Sequence, residues 1–174
     1  ASPEANVAAI RALITPRTKV IQVSHITCTT GLLFPIRAIA DLAALADPEG
    51  PWVVVDGYHG FMAMETDLSA VADRIFYLSG GYKYAMAGEG MGFLHCPPDF
   101  GRRPPITGWY AEFGDLEAPP GGVGYTRDAM RFMGATFDPS AIYRFCHVRR
   151  MLAGEGLTTA RISARVDALK ERLH

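Results

Sequence analysis

The sequence predicts an α/β fold in which a mainly parallel β-sheet is sandwiched by helices, and three observations carry that prediction. Four short runs, "KVIQVS" (19–24), "PWVVVD" (51–56), "RIFYLS" (74–79) and "MGFLHC" (91–96), are rich in apolar and β-branched residues without strict alternation. Strands of a parallel sheet read this way because both faces are covered. Segments with apolar residues at helical spacing lie between or beside these runs. Finally, three runs end on polar groups: Ser24-His25 with Thr27, Asp56 with His59, and Ser79 with Lys83. In open α/β sheets, ligands bind just beyond the carboxyl ends of the strands.

The elements follow in chain order. Ser2 is suited to cap a helix with Pro3 at its first position, and Val7, Ile10 and Ile14 share one face before Pro16 ends it. After the first strand, Pro35 opens a second helix with Ile36, Ile39, Ala43 and Ala46 on one side. Asp67 caps a short helical turn through Val71, between the second and third strands. Residues 97–126 are crowded with proline and glycine, and a loop of this length in a compact domain is usually functional or an interface element. Asp138-Pro139 starts a helix expected to turn Ile142, Phe145 and Leu152 inward, with Gly154 or Gly156 stopping it. Thr158 begins a last helix whose stripe is Ile162, Val166, Leu169 and Leu173.

Composition excludes several classes of function. The 174 residues, enough for one domain of ordinary size, are 49% hydrophobic and 20% charged with a formal net charge of −1. Charge is balanced and the Arg102-Arg103 and Arg149-Arg150 pairs form no basic stripe, so nucleic acid is not an expected partner. No apolar run approaches the ~20 residues of a membrane helix. The beginning, "ASPEANVAAI", carries no signal-peptide pattern, and its lack of an initiator Met points to a processed or truncated chain. Cys28, Cys96 and Cys146 are odd in number and lack CxxC spacing, which argues against a disulfide framework or a zinc ribbon and favours the reducing cytoplasm. No metal site is expected.

The three strand ends make sense as one site. A carboxylate (Asp56), an imidazole (His59) and a lysine on the glycine-rich loop "SGGYKYAMAGEGMG" (Lys83) suit an aldehyde cofactor with a ring nitrogen. The amine can form a Schiff base, and the carboxylate can keep the ring nitrogen protonated. Ser79 and Tyr82 offer hydroxyls to a phosphate without adding charge. Taken singly, Asp56 is as readily a strand-ending turn residue, His59 a satisfied half-buried histidine and Lys83 a solvated cation; only their co-occurrence carries the reading. Rival patterns are weaker. "GEGMG" precedes a strand instead of opening a helix, unlike a dinucleotide loop. Ser79, His59 and Asp56 could be written as a hydrolase triad, yet "YLSGG" is no G-x-S-x-G elbow.

"VVVDGYHG" followed by "YLSGGYKYAMAGEGMGFLHCP" resembles the core of the class V aminotransferase family of pyridoxal-phosphate enzymes, fold type I, from about Lys19 to the end of the chain. The resemblance implies the aspartate aminotransferase-type large domain. It gives catalytic and cofactor-binding positions at Lys83 (Schiff base), Asp56 (pyridine nitrogen) and His59 (near the ring's phenolic oxygen). In "VSHITCTTG" it makes Ser24 and Thr27 candidates near the phosphate or ring. The "YKY" and D-x-x-H details are similar to kynureninase, "HITCTTGLLFPI" to isopenicillin-epimerase-like members. "PITGWYAEF" and "MRFMGATFDPS" resemble segments whose Trp109 and Thr136 reach the cofactor phosphate of a neighbouring subunit, which implies a homodimer with shared sites. The histidine that follows Gly-Trp in kynureninases is missing.

By this resemblance residues 1–174 are one partial cofactor-binding large domain, its N-terminal part and C-terminal small domain lying outside. The expected substrate is an amino acid. The reaction is aminotransferase-like, with kynureninase-like carbon–carbon cleavage, a desulfurase- or epimerase-type reaction, or a catalytically incomplete relative as alternatives.

Overall fold

The computed structural model describes residues 2–46, 50–97, 103–115, 117 and 124–173. Helix α1 (Pro3–Leu13) starts at Ser2, whose hydroxyl accepts from the Ala5 N–H at 3.2 Å, and it stops short of Pro16. Strand β1 (Val20–Ser24) leads through α2 (Ile36–Ala46) to β2 (Trp52–Asp56), and Asp67 accepts from the Ser69 N–H ahead of a 3₁₀ turn over Ser69–Val71. Strands β3 (Ile75–Gly80) and β4 (Gly92–His95) follow, then α3 (Ser140–Gly154) and α4 (Thr159–Glu171). The Asp138 carboxylate caps α3 by accepting from the Ser140 N–H at 2.9 Å. Gly156 turns the chain after α3 with φ of +64°, in the left-handed region. No helix among the described residues is long and apolar enough to cross a membrane.

The sheet order is β1-β2-β3-β4, with β1, β2 and β3 parallel and β4 returning antiparallel to β3. The register sets Ser24 opposite Asp56 and Asp56 opposite Leu78. One face is fully covered: Ile21, Val53, Val55, Ile75 and Tyr77 pack with Ile36, Ile39, Ala40 and Ala43 of α2, and Val7, Ile10 and Ile14 close the edge. The other face, with Val54, Phe76 and Leu78, is half-buried. It is touched by Phe132, whose ring lies 5.9 Å from that of Phe76.

Three expectations are corrected in the helices. In α3 the buried positions are Ala141 and Leu152, while Ile142 is 37% exposed. Leu152 is buried and Phe145 half-buried as expected, and only Ile142 departs, its place taken by Ala141, which lies against the loop before β4. In α2, Ala46 is exposed at the last position. In α4 no residue is fully buried, and Val166, Leu169 and Leu173 remain exposed. A 3.6-residue stripe shows that a face is apolar, not that this stretch of chain supplies its cover. Of the loop at 97–126, residues 98–102, 116 and 118–123 lie outside the described residues. Its described part includes 3₁₀ turns over Trp109–Asp115.

A polar pair is buried under the turn that follows β2. Tyr77 reaches from β3 to within 3.3 Å of His25 Nδ1, and both side chains are buried. Burial, aided by the negative charge of Asp56, pushes the Tyr77 phenol up to about 12, and burial pushes the His25 imidazole below its ordinary value. Gly57 and Gly60 are the residues that fit above the pair. A Cβ on Gly57 would fall 2.1 Å from the Tyr77 ring, and one on Gly60 would fall 2.3 Å from His25 Nδ1.

Two predictions test this core. Ile75→Ala deletes a side chain with no exposure and should cost about 2–5 kcal/mol of stability. Leu78→Ala, one step to the half-buried face, should cost no more than about half as much. Denaturant unfolding of the two variants measures the asymmetry, and equal losses would mean that both faces are equally packed. The second concerns acid. With its folded-state value depressed, His25 stays neutral in the fold while an unfolded chain takes up a proton below about 6.5. Its contribution is therefore complete above that pH and is lost as pH falls toward the lowered value. Unfolding between pH 8 and 5 should show this slope, and His25→Phe should flatten it.

Candidate active site

Lys83 lies in the connection between β3 and β4, a loop that its own backbone closes. The Gly81 N–H donates to the Met91 carbonyl at 2.9 Å, Ala87 to Gly81 at 2.8 Å, and Met86 to Lys83 at 3.0 Å. Ala85 and Ala87 are fully buried and pin the loop inward, which brings the lysine over the turn after β2. There Lys83 Nζ lies 2.7 Å from His59 Nε2, within hydrogen-bond distance. When the lysine donates, the histidine is the tautomer protonated at Nδ1. The amine also sits 5.7 and 5.6 Å from the ring centroids of Tyr58 and Tyr82, which face each other at 5.3 Å. Aromatic faces attract a cation without neutralising it.

Asp56 ends β2, and its carboxylate accepts from the Tyr58 N–H at 3.0 Å. That bond shapes the turn that carries His59. Among the described residues Lys83 makes no ion pair with Asp56 or with any other carboxylate. A direct salt bridge would hold the amine in its ammonium form and oppose its use as a nucleophile. Beyond His59 and Lys83 opens a cavity of about 580 Å³, which Asp56 does not line. His59 and Lys83 line it together with Ile26, Met62 and Met86, and α4 closes one side through Ile162 and Val166. The Thr159 hydroxyl, at 3.9 Å from the Met62 sulfur, ties α4 to the turn after His59.

The other sequence candidates divide. Ser24 lies level with Asp56 across the β1–β2 pairing and is half-buried. Thr27 is close in sequence, but its hydroxyl is engaged, 2.6 Å from Thr30 Oγ1 and accepting from the Leu32 N–H at 2.9 Å. Tyr82 stands beside the amine, about half exposed. Ser79 does not line the cavity. Because Asp56 is level with Leu78, the next residue faces the covered side of the sheet. Ser79 is accordingly 2% exposed, and its hydroxyl has no partner among the described residues.

Trp109 and Thr136 lie apart from Lys83 in the hydrogen bonds and ring contacts among the described residues. The Trp109 ring contacts Tyr110 and Phe113 at 5.4 and 5.8 Å, leaving it half exposed, and Thr136 is exposed. The two segments meet each other, since a Cβ on Gly108 would fall 1.9 Å from the Gly134 carbonyl oxygen. Tyr58, the Met62–Met86 lining and the His25–Tyr77 pair are site features that pattern reading missed. A tyrosine inside a D-x-x-H turn was the available signal for the first, and no sequence signal pairs His25 with Tyr77.

The donor set fits an aldehyde cofactor: a primary amine without an ion pair among the described residues, an imidazole within hydrogen-bond reach of it, and a carboxylate at the end of the strand that carries the imidazole's turn. The chain is similar to known proteins. The aminotransferase class-V family matches residues 2–174. The chain is 37% identical over 117 residues to an isopenicillin N epimerase of Streptomyces clavuligerus, covering 65% of this chain and 28% of the epimerase. It is 39% identical over 89 residues to a probable cysteine desulfurase of Vibrio cholerae serotype O1, covering 51% of this chain and 21% of that protein. In structure it is similar to a cysteine desulfurase of Thermococcus onnurineus NA1, with a TM-score of 0.66 at 21% identity over 87% of this chain and 36% of the other. It is also similar to a lysine-to-alanine variant of C-DES with glycine covalently linked to its PLP cofactor, with a TM-score of 0.67 at 21% identity over 89% of this chain and 40% of the other. The chain thus spans about a quarter of the curated relatives' length, and its match to the family runs across nearly all of its residues. It belongs to the aminotransferase class-V family.

Proposed function

We propose that this chain is the cofactor-holding part of a pyridoxal-phosphate enzyme that acts on an amino acid, with Lys83 as the point of covalent attachment. The observation that carries the reading is the Lys83 amine, hydrogen-bonded to His59 at 2.7 Å at the mouth of a cavity beyond the strand ends. Residues 1–174 are read as one partial large domain. When bound, pyridoxal phosphate supplies an electron sink for the bonds around an amino acid's α-carbon.

This chain's own residues do the rest. Asp56 would supply the fixed negative charge that holds a proton on the pyridine nitrogen. His59 accepts from the Lys83 amine and keeps it directed into the cavity, where Nζ can hold or release a proton beside the substrate. On that side the cavity is lined by Met62, Met86 and α4, which adds Asp167 and Lys170 to the apolar Ile162 and Val166. Ser24, Thr27 and Tyr82 are the hydroxyls proposed for the cofactor's polar edge, with Thr27 exchanging its present partners for it. The free thiols of Cys28, Cys96 and Cys146 suit the cytoplasm. The reaction is read as aminotransferase-like. The epimerase and desulfurase relatives support an amino acid as substrate, and no feature of the site favours kynureninase-type cleavage over these.

Borohydride reduction of the complete protein loaded with pyridoxal phosphate, followed by peptide mass mapping, should place a pyridoxyl group on Lys83. A label on Lys19 or Lys170 would overturn the assignment. The assembly has its own test. Trp109, Tyr110 and Phe113 form an aromatic cluster next to the Thr136 segment, with Trp109 and Phe113 half exposed. Such residues anchor interface cores, and we read Trp109 and Thr136 as reaching the cofactor of a second subunit. Lys83→Ala subunits mixed with Trp109→Ala, Thr136→Ala subunits should then regain activity, because one of the two sites carries neither defect. Heterodimers that form yet stay as inactive as the parents would place both contacts within one chain.

A further inference from the structure

The loop that carries Lys83 contains three residues in the left-handed region, Met86 at φ of +56°, Gly88 at +68° and Gly90 at +88°. Backbone twisted this way turns carbonyls outward, where no strand or helix partner meets them, and such acceptors need a donor from elsewhere. Arg144 provides it from α3. Its Nε donates to the Ala87 carbonyl and its Nη2 to the Glu89 carbonyl, the two that flank Gly88. A guanidinium suits this work because its donors form a rigid fork. The fit is close on both sides. A Cβ on Gly88 would lie 3.3 Å from the guanidinium carbon, and one on Gly90 would lie 3.4 Å from the Ala141 methyl on the same helix.

The next residue of α3 reaches the other half of the site. The Phe145 ring is 6.1 Å from that of Phe61, in the turn just after His59. One helix thus touches both the loop that bears the amine and the turn that bears the imidazole. We propose that Arg144 is a positioning residue that latches the Lys83 loop to α3 and, with Phe145 bracing the His59 turn, sets the separation between the Lys83 amine and His59. The reach to bound cofactor rests on the function proposed above; the latch itself does not.

The test uses the complete protein with Arg144→Ala, Arg144→Lys and, as control, Arg150→Ala on the same helix. Without cofactor, amide hydrogen exchange over residues 81–91 should rise about tenfold or more in Arg144→Ala while β1 and β2 stay protected. Arg144→Lys, whose single nitrogen cannot fork across two carbonyls, should fall between, and Arg150→Ala should match the parent. Loaded with pyridoxal phosphate, Arg144→Ala should move the pH midpoint of the cofactor's visible absorbance upward by about one unit, since a loosened Lys83 nitrogen is better solvated and solvation favours its charged form. Unchanged exchange over 81–91 overturns the latch. Raised exchange with an unmoved midpoint overturns the positioning role. If Arg144→Ala does not fold, Arg144→Lys decides on the same two readouts. Should mass mapping find the cofactor on another lysine, the functional reading fails while the exchange data still judge the latch.

Discussion

Hydrogen bonding between β1, β2 and β3 runs in a register that sets Ser24 beside Asp56 and Asp56 beside Leu78. Every polar group around Lys83 takes its place from that alignment. Strand side chains alternate between faces, so a slip of one residue would carry Asp56 to the side where Val55 is packed at zero exposure. The apolar face resists such a slip, because it would expose Val53, Val55 and Ile75 together. Core packing and site geometry are in this sense one constraint: the aliphatic residues that cover one face hold the carboxylate at the end of the other.

Above this frame, the charges are kept from cancelling one another. Asp56 turns to a backbone N–H, and Lys83 to an imidazole and two aromatic rings. Beneath them, the Tyr77 phenol is held in its protonated form by burial and by the nearby Asp56 charge. A buried neutral pair under the turn leaves the single negative charge of Asp56 undisturbed, and a low-dielectric neighbourhood makes that charge count for more.

Much of this was legible in the sequence, for identifiable reasons. β1, β2 and β3 are short β-branched runs that end on Ser24, Asp56 and Ser79-Gly80, and a strand end is a local signal. Lys83 and His59 could be grouped because each follows such an end. What could not be read depends on partners remote in the chain. Ser79 looks like Ser24 in sequence, yet one step of alternation sends it into the core. Ile142 and Ala141 are adjacent apolar residues, and which one is buried depends on the loop at Gly90. Arg144 is an ordinary helix arginine until the carbonyls of Ala87 and Glu89 are seen beside it. The α4 stripe was read correctly as apolar, but its exposure depends on what packs there.

The antiparallel return of β4 has a consequence for how the molecule comes together. β1 and β2, like β2 and β3, can pair only after a long crossover has been folded back, and the entropic cost of closing a loop grows with its length. β3 and β4 are joined by the shortest of the sheet's connections, from Gly80 to Gly92. The reactive lysine therefore rides on the pairing of lowest contact order in the sheet, the kind that chains form soonest. His59 and Asp56 sit at the end of a strand that waits for two crossovers. The amine is then in place as half of a hairpin, and the acid and the imidazole are delivered to it when the sheet is completed.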